Sequence, residues 1–455
     1  MTKRIEEDSL GYLEIPEGVY YGVQTERARR NFPISSLRFS ENFIKNLALI
    51  KKMAALSNKE SKKITLEISG AITTSCDEII EGKFSSEFPV DIFQTGSGTS
   101  TNMNINEVIA ARGNEILTGH IRGKAPIHPN DHVNMGQSSN DVIPSAIYIT
   151  CTQQVISGLI PSFILLRDTL GEKEDEFKDI YKIGRTHLQD AVTMTLGEEF
   201  GGYRAQINLG IERLESILPR LKRLPLGGTA VGTGINTTET FISDVISGVS
   251  ASLGIDFSEA ENHFQAQSNL DTLVELSGVL KSIGVSFYKI ANDIRWLSSG
   301  PRCGIGEIIL PELQPGSSIM PGKINPVICE STMMAAAKII GNDSSITLGG
   351  LGGNFQLNTM MPLVTHCLLE SIGLLTSSGK NLAERCIKGI TADGKKIESM
   401  RDRSLALATR LVPYIGYDRS CEIAREAHKR GLSVYETATN KKILPQNTLE
   451  KIFRS

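Results

Sequence analysis

The sequence has no excess of charge of one sign and no long apolar run. Its 48 Lys and Arg residues nearly cancel 51 Asp and Glu residues, so no basic field favours nucleic acid. No stretch reaches the roughly 20 uninterrupted apolar residues that span a bilayer. The first residues carry charges of both signs, so we expect neither a secretory signal nor a transit peptide. These absences favour a cytoplasmic protein with a small-molecule partner, and neither nucleic acid nor a membrane.

The seven cysteines are scattered, and none are spaced as C-x-x-C. Paired spacings of that kind are typical of zinc sites. We therefore expect reduced core thiols, no metal site and no cofactor.

Three apolar stretches have the spacing of buried helices. Apolar residues recur every three or four positions from 273 to 297 and from 196 to 221, and a third stretch runs from 139 to 159. Small residues such as Gly278 and Ser282 would let neighbouring helices approach the first stretch from several sides. The sequence predicts an all-α fold with long, near-parallel helices, either a four-helix core or a larger bundle between subunits. Strands do not alternate with helices, which argues against a doubly wound sheet.

Four polar segments rich in Gly, Ser, Thr and Asn lie between the helical stretches. Loops often carry function, but Ser, Asn and Asp before a helix also cap its free amides, so each segment could be purely structural. The segments are TGSGTSTNMN (95–104), HPNDHVNMGQSSND (128–141), GRTHLQD (184–190) and GSSIMPGKINP (316–326).

These segments do not match nucleotide-binding motifs. Thr101 stands where a dinucleotide fingerprint needs a third glycine. Gly316 lies one residue too far from Gly322 for a phosphate loop, and Ile324 replaces the required Ser or Thr. The remaining hydroxyls, amides and single lysine suit a small carboxylate, which accepts up to about four hydrogen bonds.

Histidines and serines in these segments are candidates for proton transfer. His187, expected in a polar loop just before a helix, could act as general acid or base, although a lone histidine is usually structural. His128 and His132 compete for that role, and HPND could simply be a turn. A serine at 317 or 318 can act as a base only if Lys323, backbone amides or a helix N-terminus stabilise its alkoxide.

The segment GSSIMPGKINP closely resembles the signature loop of the fumarase and aspartase superfamily, G-S-S-x-M-P-x-K-x-N-P. The other polar segments resemble further boxes of that family in the same order, from IPEGVYYGVQTERARRNFPIS near the start to VPYIGYD near residue 412. The resemblance implies three mostly helical domains, which we place at residues 1–136, 137–389 and 390–455. It also implies a homotetramer whose central helices form a twenty-helix bundle, with each active site shared by three subunits.

The resemblance also implies roles for single residues. Ser317 would remove the C3 proton of malate, while Lys323 and Asn325 stabilise the resulting aci-carboxylate. His187, paired with Glu330, would help the hydroxyl leave as water. The residues implied to bind substrate are Ser97, Gly98, Thr99, Ser138, Ser139, Asn140, Thr186, Ser318, Lys323, Ile324 and Asn325.

A secondary anion site is implied at His128, Pro129, Asn130 and Asp131. The family often has an arginine three residues before that histidine, where this sequence has Ala125. Lys124 could supply the positive charge in place of that arginine.

Two reactions are compatible with this scaffold. Three segments resemble aspartase: VYYGVQT, PVDIFQ and the Thr-Met of AVTMTLGEEF. Four segments resemble fumarase: TGSGT, LPLGGTAVGTG, SGPRCGIGEI and GGLGGNFQLN. The fumarase-like segments lie nearer the expected site. We expect a metal-independent fumarate hydratase of the tricarboxylic acid cycle that hydrates fumarate to L-malate. Aspartate ammonia-lyase is the alternative, and a non-catalytic helical-bundle relative is the second. Argininosuccinate and adenylosuccinate lyases match less well.

Overall fold

A computed structural model describes residues 2–121 and 123–454, apart from the side chain of residue 454. Seventeen α-helices dominate these residues, which confirms the all-α class. The helices are α1 Val23–Asn31, α2 Glu41–Glu60, α3 Leu66–Ile80, α4 Thr99–Thr118, α5 Ser139–Gln154, α6 Ile160–Glu176, α7 Leu196–Leu221, α8 Glu239–Leu253, α9 His263–Ser268, α10 Asp271–Leu297, α11 Val327–Gly350, α12 Met361–Arg385, α13 Gly394–Arg403, α14 Val412–Ile415, α15 Tyr417–Arg430, α16 Val434–Asn440 and α17 Gln446–Arg454.

Ten short strands pair two by two, and all the pairs are antiparallel except β5 with β6. β1 pairs with β2, β3 with β4, β8 with β9 and β7 with β10. The strands are β1 Lys3–Asp8, β2 Gly11–Pro16, β3 Tyr181–Thr186, β4 Gln189–Thr195, β5 Arg223–Leu224, β6 Ser258–Glu259, β7 Ile308–Ile309, β8 Gly353–Asn354, β9 Leu357–Asn358 and β10 Thr391–Ala392.

The chain divides into two compact units. The first holds the residues up to Pro161 together with Glu212–Gly284 and Ala337–Thr376, and the second holds Ser162–Ile211, Val285–Ala336 and the residues from Ser377 onward. These two units are defined by contacts within a single chain, and they do not correspond to the three domains placed from the sequence. The three-domain division stays a prediction.

In the first unit, α2 packs against α3, α5 and α8. Side-chain caps begin two of these helices, because Ser40 accepts a bond from Phe43 N and Thr65 accepts one from Ile68 N. Phe43 and Leu47 then lie fully buried on α2. The N-termini of α4 and α5 are thereby held on a packed helical layer.

In the second unit, aromatic pairs contribute to the core, one stacked and one edge-to-face. The Phe163 and Phe287 rings lie 5.1 Å apart, and those of Phe177 and Phe200 lie 5.3 Å apart. A separate apolar cluster occupies the C-terminal residues, formed by Leu407, Ala408, Leu411, Ile423, Ala427, Val434, Ala438, Leu449 and Ile452.

The two long apolar stretches form α10 and α7, as predicted. The three-and-four spacing of the α10 stretch predicts eight buried positions, and all are buried: Leu273, Leu276, Leu280, Ile283, Phe287, Ile290, Ile294 and Leu297. The same spacing predicts Leu218 as a buried position of α7, but Leu218 is only half-buried, and the neighbouring Ile217 is buried instead. An α-helix has 3.6 residues per turn, whereas strictly alternating spacings of three and four average 3.5. Over a long helix the buried position can therefore move by one residue from the predicted one.

The third stretch is one helical run through α5 and α6, interrupted by a π turn at Val155–Leu159. Pro161 follows this turn, and the residue lacks the amide that a regular helix needs. By length and mean hydropathy (1.5) the run could cross a membrane, but 50% of its most apolar window is buried inside the chain. Core helices of globular proteins pass the same test, and the burial matches such a helix.

Candidate active site

The first polar segment leads into the N-terminus of α4. Gly98 precedes the helix with φ 74°, and the hydroxyls of Ser97 and Thr99 lie 2.8 Å apart. A Cβ on Gly96 would lie 1.8 Å from the Thr359 carbonyl oxygen, so only glycine fits there. Free backbone amides and hydroxyls at a helix N-terminus are suited to bind an anion.

The second segment forms the N-terminus of α5. Ser138 Oγ accepts a bond from Asn140 N (3.2 Å), and Asp141 Oδ1 accepts one from Ser138 N (2.9 Å). Asp141 Oδ2 also accepts bonds from Gly227 N and Thr229 N, at 3.1 and 3.0 Å. Burial raises the pKa of this fully buried carboxyl, although its backbone hydrogen bonds oppose the shift. Asp141 therefore fixes the α5 N-terminus to the 227–229 loop.

A buried asparagine joins these two helix ends. Asn102 Nδ2, on α4, donates to Ser139 Oγ at 3.0 Å and to Asn134 Oδ1 at 3.1 Å. Asn140 Nδ2 donates to the Ala230 carbonyl at 2.8 Å. The structure thus brings the predicted substrate residues of segments 95–104 and 128–141 together, which spacing alone did not require.

The predicted secondary anion site is a turn capped by its own histidine. His128 Nδ1 accepts bonds from Asn130 N and Asp131 N at the start of the π turn Pro129–Val133. Burial lowers the pKa of His128, partly offset by the Asp131 carboxylate 3.5 Å away. Lys124 Nζ donates to the Glu7 carbonyl at 2.7 Å. HPND therefore forms a turn, as one of the two interpretations predicted. The anion site at these residues stays a prediction.

His187 lies at the tip of the β3–β4 hairpin. The expected loop before a helix is wrong, because a whole strand, β4, separates His187 from α7. His187 and Leu188 form the two-residue turn with φ of 56° and 59°. Such turns favour Asn and Gly, so two ordinary side chains in the left-handed region mark a strained position. Both residues are exposed, as is Thr186 at the end of β3.

Buried charges anchor this hairpin. Arg185 Nη2 donates to Glu307 Oε1 at 2.7 Å, and the Glu307 side chain is fully buried. Lys182 Nζ lies 3.0 Å from Glu307 Oε2 and donates to Glu199 Oε2 at 2.5 Å. Two carboxylates thus offset two cations under the strand that ends at Thr186.

The fourth segment is an exposed loop closed at its base. Gly316 N donates to the Lys323 carbonyl (2.7 Å), and Asn325 Nδ2 donates to the Gly316 carbonyl (2.6 Å). A Cβ on Gly316 would lie 2.4 Å from the Lys323 carbonyl oxygen, so this closure needs glycine. Ser317 Oγ accepts bonds from Ile319 N and Met320 N, at 3.2 and 3.0 Å. Backbone amides therefore surround the hydroxyl and would stabilise its alkoxide.

Other predicted site residues are exposed around this loop. Ser318, Lys323, Ile324 and Glu330 are exposed, and Glu330 lies in the first turn of α11. No hydrogen bond or ion pair joins His187 to Glu330 among the described residues of one chain. Their implied pairing stays a prediction.

Several residues around the candidate site were not singled out from the sequence. Four of them lie within the polar segments, and that position could have marked them as site residues: Asn102, Asn134, Asp141 and Arg185. Glu307 was quoted only within a fumarase-like segment, and Lys51 lies in an ordinary amphipathic stretch. Within residues 2–121 and 123–454, no group of three or more His, Cys, Asp or Glu side chains is arranged to hold a metal ion.

Comparisons with known proteins define the class of this helical chain. A family model described as Lyase matches residues 11–341, and one described as Fumarase C C-terminus matches residues 407–455. The chain is 49% identical to the class II fumarate hydratase of Nitrosomonas europaea, over 96% of this chain and 94% of that protein. It is 46% identical to the mitochondrial fumarate hydratase of Homo sapiens, over 96% and 86% of the two chains.

Solved structures agree with these sequence matches. The class II fumarase of Schistosoma mansoni superimposes with a TM-score of 0.96 at 38% identity, covering 99% of this chain and 98% of that one. A fumarate lyase:delta crystallin of Brucella melitensis bound to cobalt gives 0.94 at 42% identity, covering 100% and 98%. The chain belongs to the class II fumarase family within the fumarase and aspartase superfamily.

Proposed function

We propose that this protein is a fumarate hydratase, which reversibly adds water to fumarate to give L-malate. The observation that carries the proposal is Ser317, whose hydroxyl accepts two backbone amides inside the family's signature loop. Similarity to fumarate hydratases over nearly the whole chain supports the same reaction. The aspartase-like segments of the sequence are the reason to test aspartate beside malate.

The dehydration of malate would proceed in two steps, removal of the C3 proton and loss of the C2 hydroxyl. Ser317 Oγ, as the alkoxide, takes the C3 proton, and the C–H electron pair moves into the neighbouring carboxylate to give an aci-carboxylate. Lys323 and Asn325 would stabilise this charge. The pair then returns to form the C2–C3 double bond while the C2–O bond breaks and His187 supplies the proton that makes water. Glu330 would raise the basicity of His187 by holding its protonated form.

The polar helix ends would hold the substrate. Ser97, Gly98 and Thr99 at α4, with the residues Ser138 to Asn140 at α5, present hydroxyls and free amides to one carboxylate. Thr186, Ser318 and Ile324 would complete the binding of the other. His128 to Asp131 would form a secondary anion site in which no arginine takes part.

A homotetramer with active sites shared between subunits is part of this proposal. Large apolar side chains remain exposed on α10 (Val285, Tyr288, Trp296) and on α11 (Met334, Ile340, Leu348) of the single chain. A helix exposing such residues is typical of an intersubunit bundle. We keep the division at residues 1–136, 137–389 and 390–455, and the separate apolar cluster of the last segment supports its third part.

We place the protein in the cytoplasm, where its seven free cysteines would stay reduced. The relatives include bacterial and mitochondrial proteins, so cell fractionation is the test of this location. The chemistry proposed above uses only side chains and backbone amides. Neither a metal nor a cofactor takes part in it.

An ultraviolet assay of chelator-treated enzyme tests the reaction, because fumarate absorbs where malate and aspartate do not. Fumarate formed from L-malate, and none from L-aspartate, is the expected result. Fumarate from aspartate alone would identify an ammonia-lyase, and no product from either substrate would support a non-catalytic relative. Activity that required added divalent metal would contradict the metal-independent chemistry.

Subunit mixing tests the shared sites. Ser317→Ala and Asn140→Ala variants should each be nearly inactive, yet tetramers reassembled from both should regain part of the activity. That recovery requires sites with residues from different subunits. Mixed tetramers without any recovered activity would contradict the sharing.

A further inference from the structure

A buried lysine lies behind the N-terminus of α5 and has no role in the mechanism above. Lys51, on α2, has no exposed surface. Its Nζ donates to Asn134 Oδ1 at 2.9 Å, and among the described residues it has no ion pair, although the Asp141 carboxylate interacts with it from a distance. Lysines are almost never fully buried unless paired with a charge. An unpaired buried cation next to a candidate substrate site suggests that its counter-charge is a ligand.

A chain of shared atoms links this cation to the predicted site. Asn134 Oδ1 accepts bonds from both Lys51 Nζ and Asn102 Nδ2, and that same Nδ2 donates to Ser139 Oγ. These three contacts of 2.9, 3.1 and 3.0 Å place Lys51 Nζ within about 9 Å of Ser139 Oγ. Asn134 is held in this chain by two further bonds, because its Nδ2 donates to the Gln137 carbonyl and its Oδ1 also accepts from Asn106 Nδ2.

Two titratable groups influence Lys51 electrostatically: the Asp141 carboxyl on α5 and the Cys76 thiol on α3. Burial raises the pKa of Cys76 beyond that of an ordinary thiol, so it stays neutral. Asp141 already accepts bonds from three backbone amides, those of Ser138, Gly227 and Thr229. The Asp141 carboxylate therefore acts on Lys51 from a distance, and no direct ion pair to Lys51 is present among the described residues. A substrate carboxylate at the same helix ends would interact with the remaining part of this positive charge.

We propose that Lys51 supplies a buried positive charge that strengthens the binding of one substrate carboxylate at the N-termini of α4 and α5. The inference rests on the proposed function, since it requires a dicarboxylate at this site. Lys51 does not touch the substrate and is a positioning residue that acts through distance and charge. For a carboxylate bound near Ser139, at about 9 Å and an effective dielectric constant of about 20, one unit charge changes affinity by roughly ten- to twentyfold.

Lys51→Met tests this role, because Met keeps the length of the side chain without its charge. Burying an unpaired charge costs free energy on folding, so Met, which has no charge to desolvate, should still allow the chain to fold. We expect the KM for malate and the calorimetric Kd for succinate to rise roughly ten- to twentyfold near pH 6, with kcat within about twofold of wild type. A purely structural role would instead lower the thermal midpoint and leave Kd unchanged.

Lys173→Met is the matched control. Lys173 is nearly as buried (6% exposed), but it bonds to Glu176 and to the Ile390 carbonyl, neither of which is a predicted site residue. Its Kd for succinate should equal that of wild type. If Lys51→Met does not assemble, Lys51→Gln, which keeps a donor for Asn134, is measured in its place.

The pH dependence gives a second readout. Burial lowers the pKa of Lys51 to about 7, so its charge disappears as pH rises through that value. The affinity advantage of wild type over Lys51→Met should therefore be full near pH 6 and mostly lost near pH 8. Equal succinate affinities of the two folded proteins near pH 6 would overturn the proposal. An inactive wild type that still binds succinate would refute only the proposed reaction.

Discussion

The two groups of candidate site residues differ in how the chain holds them. At the N-termini of α4 and α5, buried side chains such as Asp141 and Asn102 fix the binding groups through several hydrogen bonds each. His187 on the hairpin, Lys323 in the 316–326 loop and Glu330 on α11 are exposed, and no side-chain hydrogen bond supports them among the described residues. The binding groups at the helix ends are thus pre-arranged, while these three side chains face outward. Ser317 differs from them, because two backbone amides hold its hydroxyl.

This contrast fits the different physical demands of the two tasks. A carboxylate is bound best by donors that are already oriented, because no reorganisation is then needed. Proton-transfer groups from separate segments can meet only where loops project from the packed core. The strained turn at His187 and the exposure of Lys323 and Glu330 fit the proposal that the substrate and neighbouring subunits supply their partners.

The largest effect is expected from removing the base. Ser317→Ala should lower kcat by roughly 10²- to 10⁴-fold, because positioned general bases contribute about that much. The loop should still close, since Gly316, Lys323 and Asn325 keep their bonds at its base. Steady-state kinetics with malate and light scattering of the tetramer provide the measurement.

Ser243→Ala is a suitable control, because among the described residues this exposed serine on α8 bonds only to the Thr240 carbonyl. Its kcat should match wild type. A Ser317→Ala enzyme with full activity would remove Ser317 from the mechanism and leave the loop with a binding role.

A smaller effect is expected on the pH dependence of stability at the rigid helix ends. Folding lowers the pKa of Lys51 from 10.5 to about 7, so the folded state holds fewer protons than the unfolded state between these values. The free energy of unfolding should therefore rise with pH, by about 2–3 kcal/mol from pH 7 to pH 9. Lys51→Met should lack this increase.

Urea unfolding of both proteins at the two pH values measures the difference. Cys76, whose raised pKa keeps it protonated in the folded state, has the opposite influence as pH approaches 9. Both proteins contain Cys76, so the comparison between them isolates the contribution of Lys51. Parallel pH profiles of wild type and variant would mean that Lys51 does not titrate in this range.

The smallest of the three effects concerns the hairpin. Glu307→Gln keeps the shape of the side chain but removes the charge that faces Arg185 and Lys182. We expect the free energy of unfolding to fall by about 2 kcal/mol, since hydrogen bonds to charged groups contribute about that much. Because His187 then loses its anchor, kcat should fall more than KM changes. Denaturation and malate kinetics on one preparation test both effects.

Glu275→Gln is the control for that experiment. Glu275 pairs with Arg220, and both side chains are 44% exposed. Exposed pairs contribute little, so neither stability nor kcat should change measurably. A Glu307→Gln enzyme that lost stability but kept wild-type kcat would limit Glu307 to a structural role.

Much of the fold and part of the candidate site could be predicted from local pattern. The three-and-four spacing of apolar residues predicted α7 and α10 because burial of one helix face repeats with the helix period. The segment GSSIMPGKINP predicted the position of Ser317, and the structure adds the two amides that its hydroxyl accepts. His187 was misplaced because the short hairpin strands β3 and β4 give a weaker pattern than a long helix.

The amino-acid sequence by itself determined the helical class, the long buried helix faces, the polar segments and the family to which they belong. Each of these features depends on residues that are close in sequence, through the helix period, the capping groups or a short motif. Only the tertiary structure decided that Asn102 bonds Ser139, that Glu307 lies under the hairpin of His187, and that Lys51 faces the end of α5. Such contacts join residues up to 122 positions apart, and their distances depend on how whole helices pack.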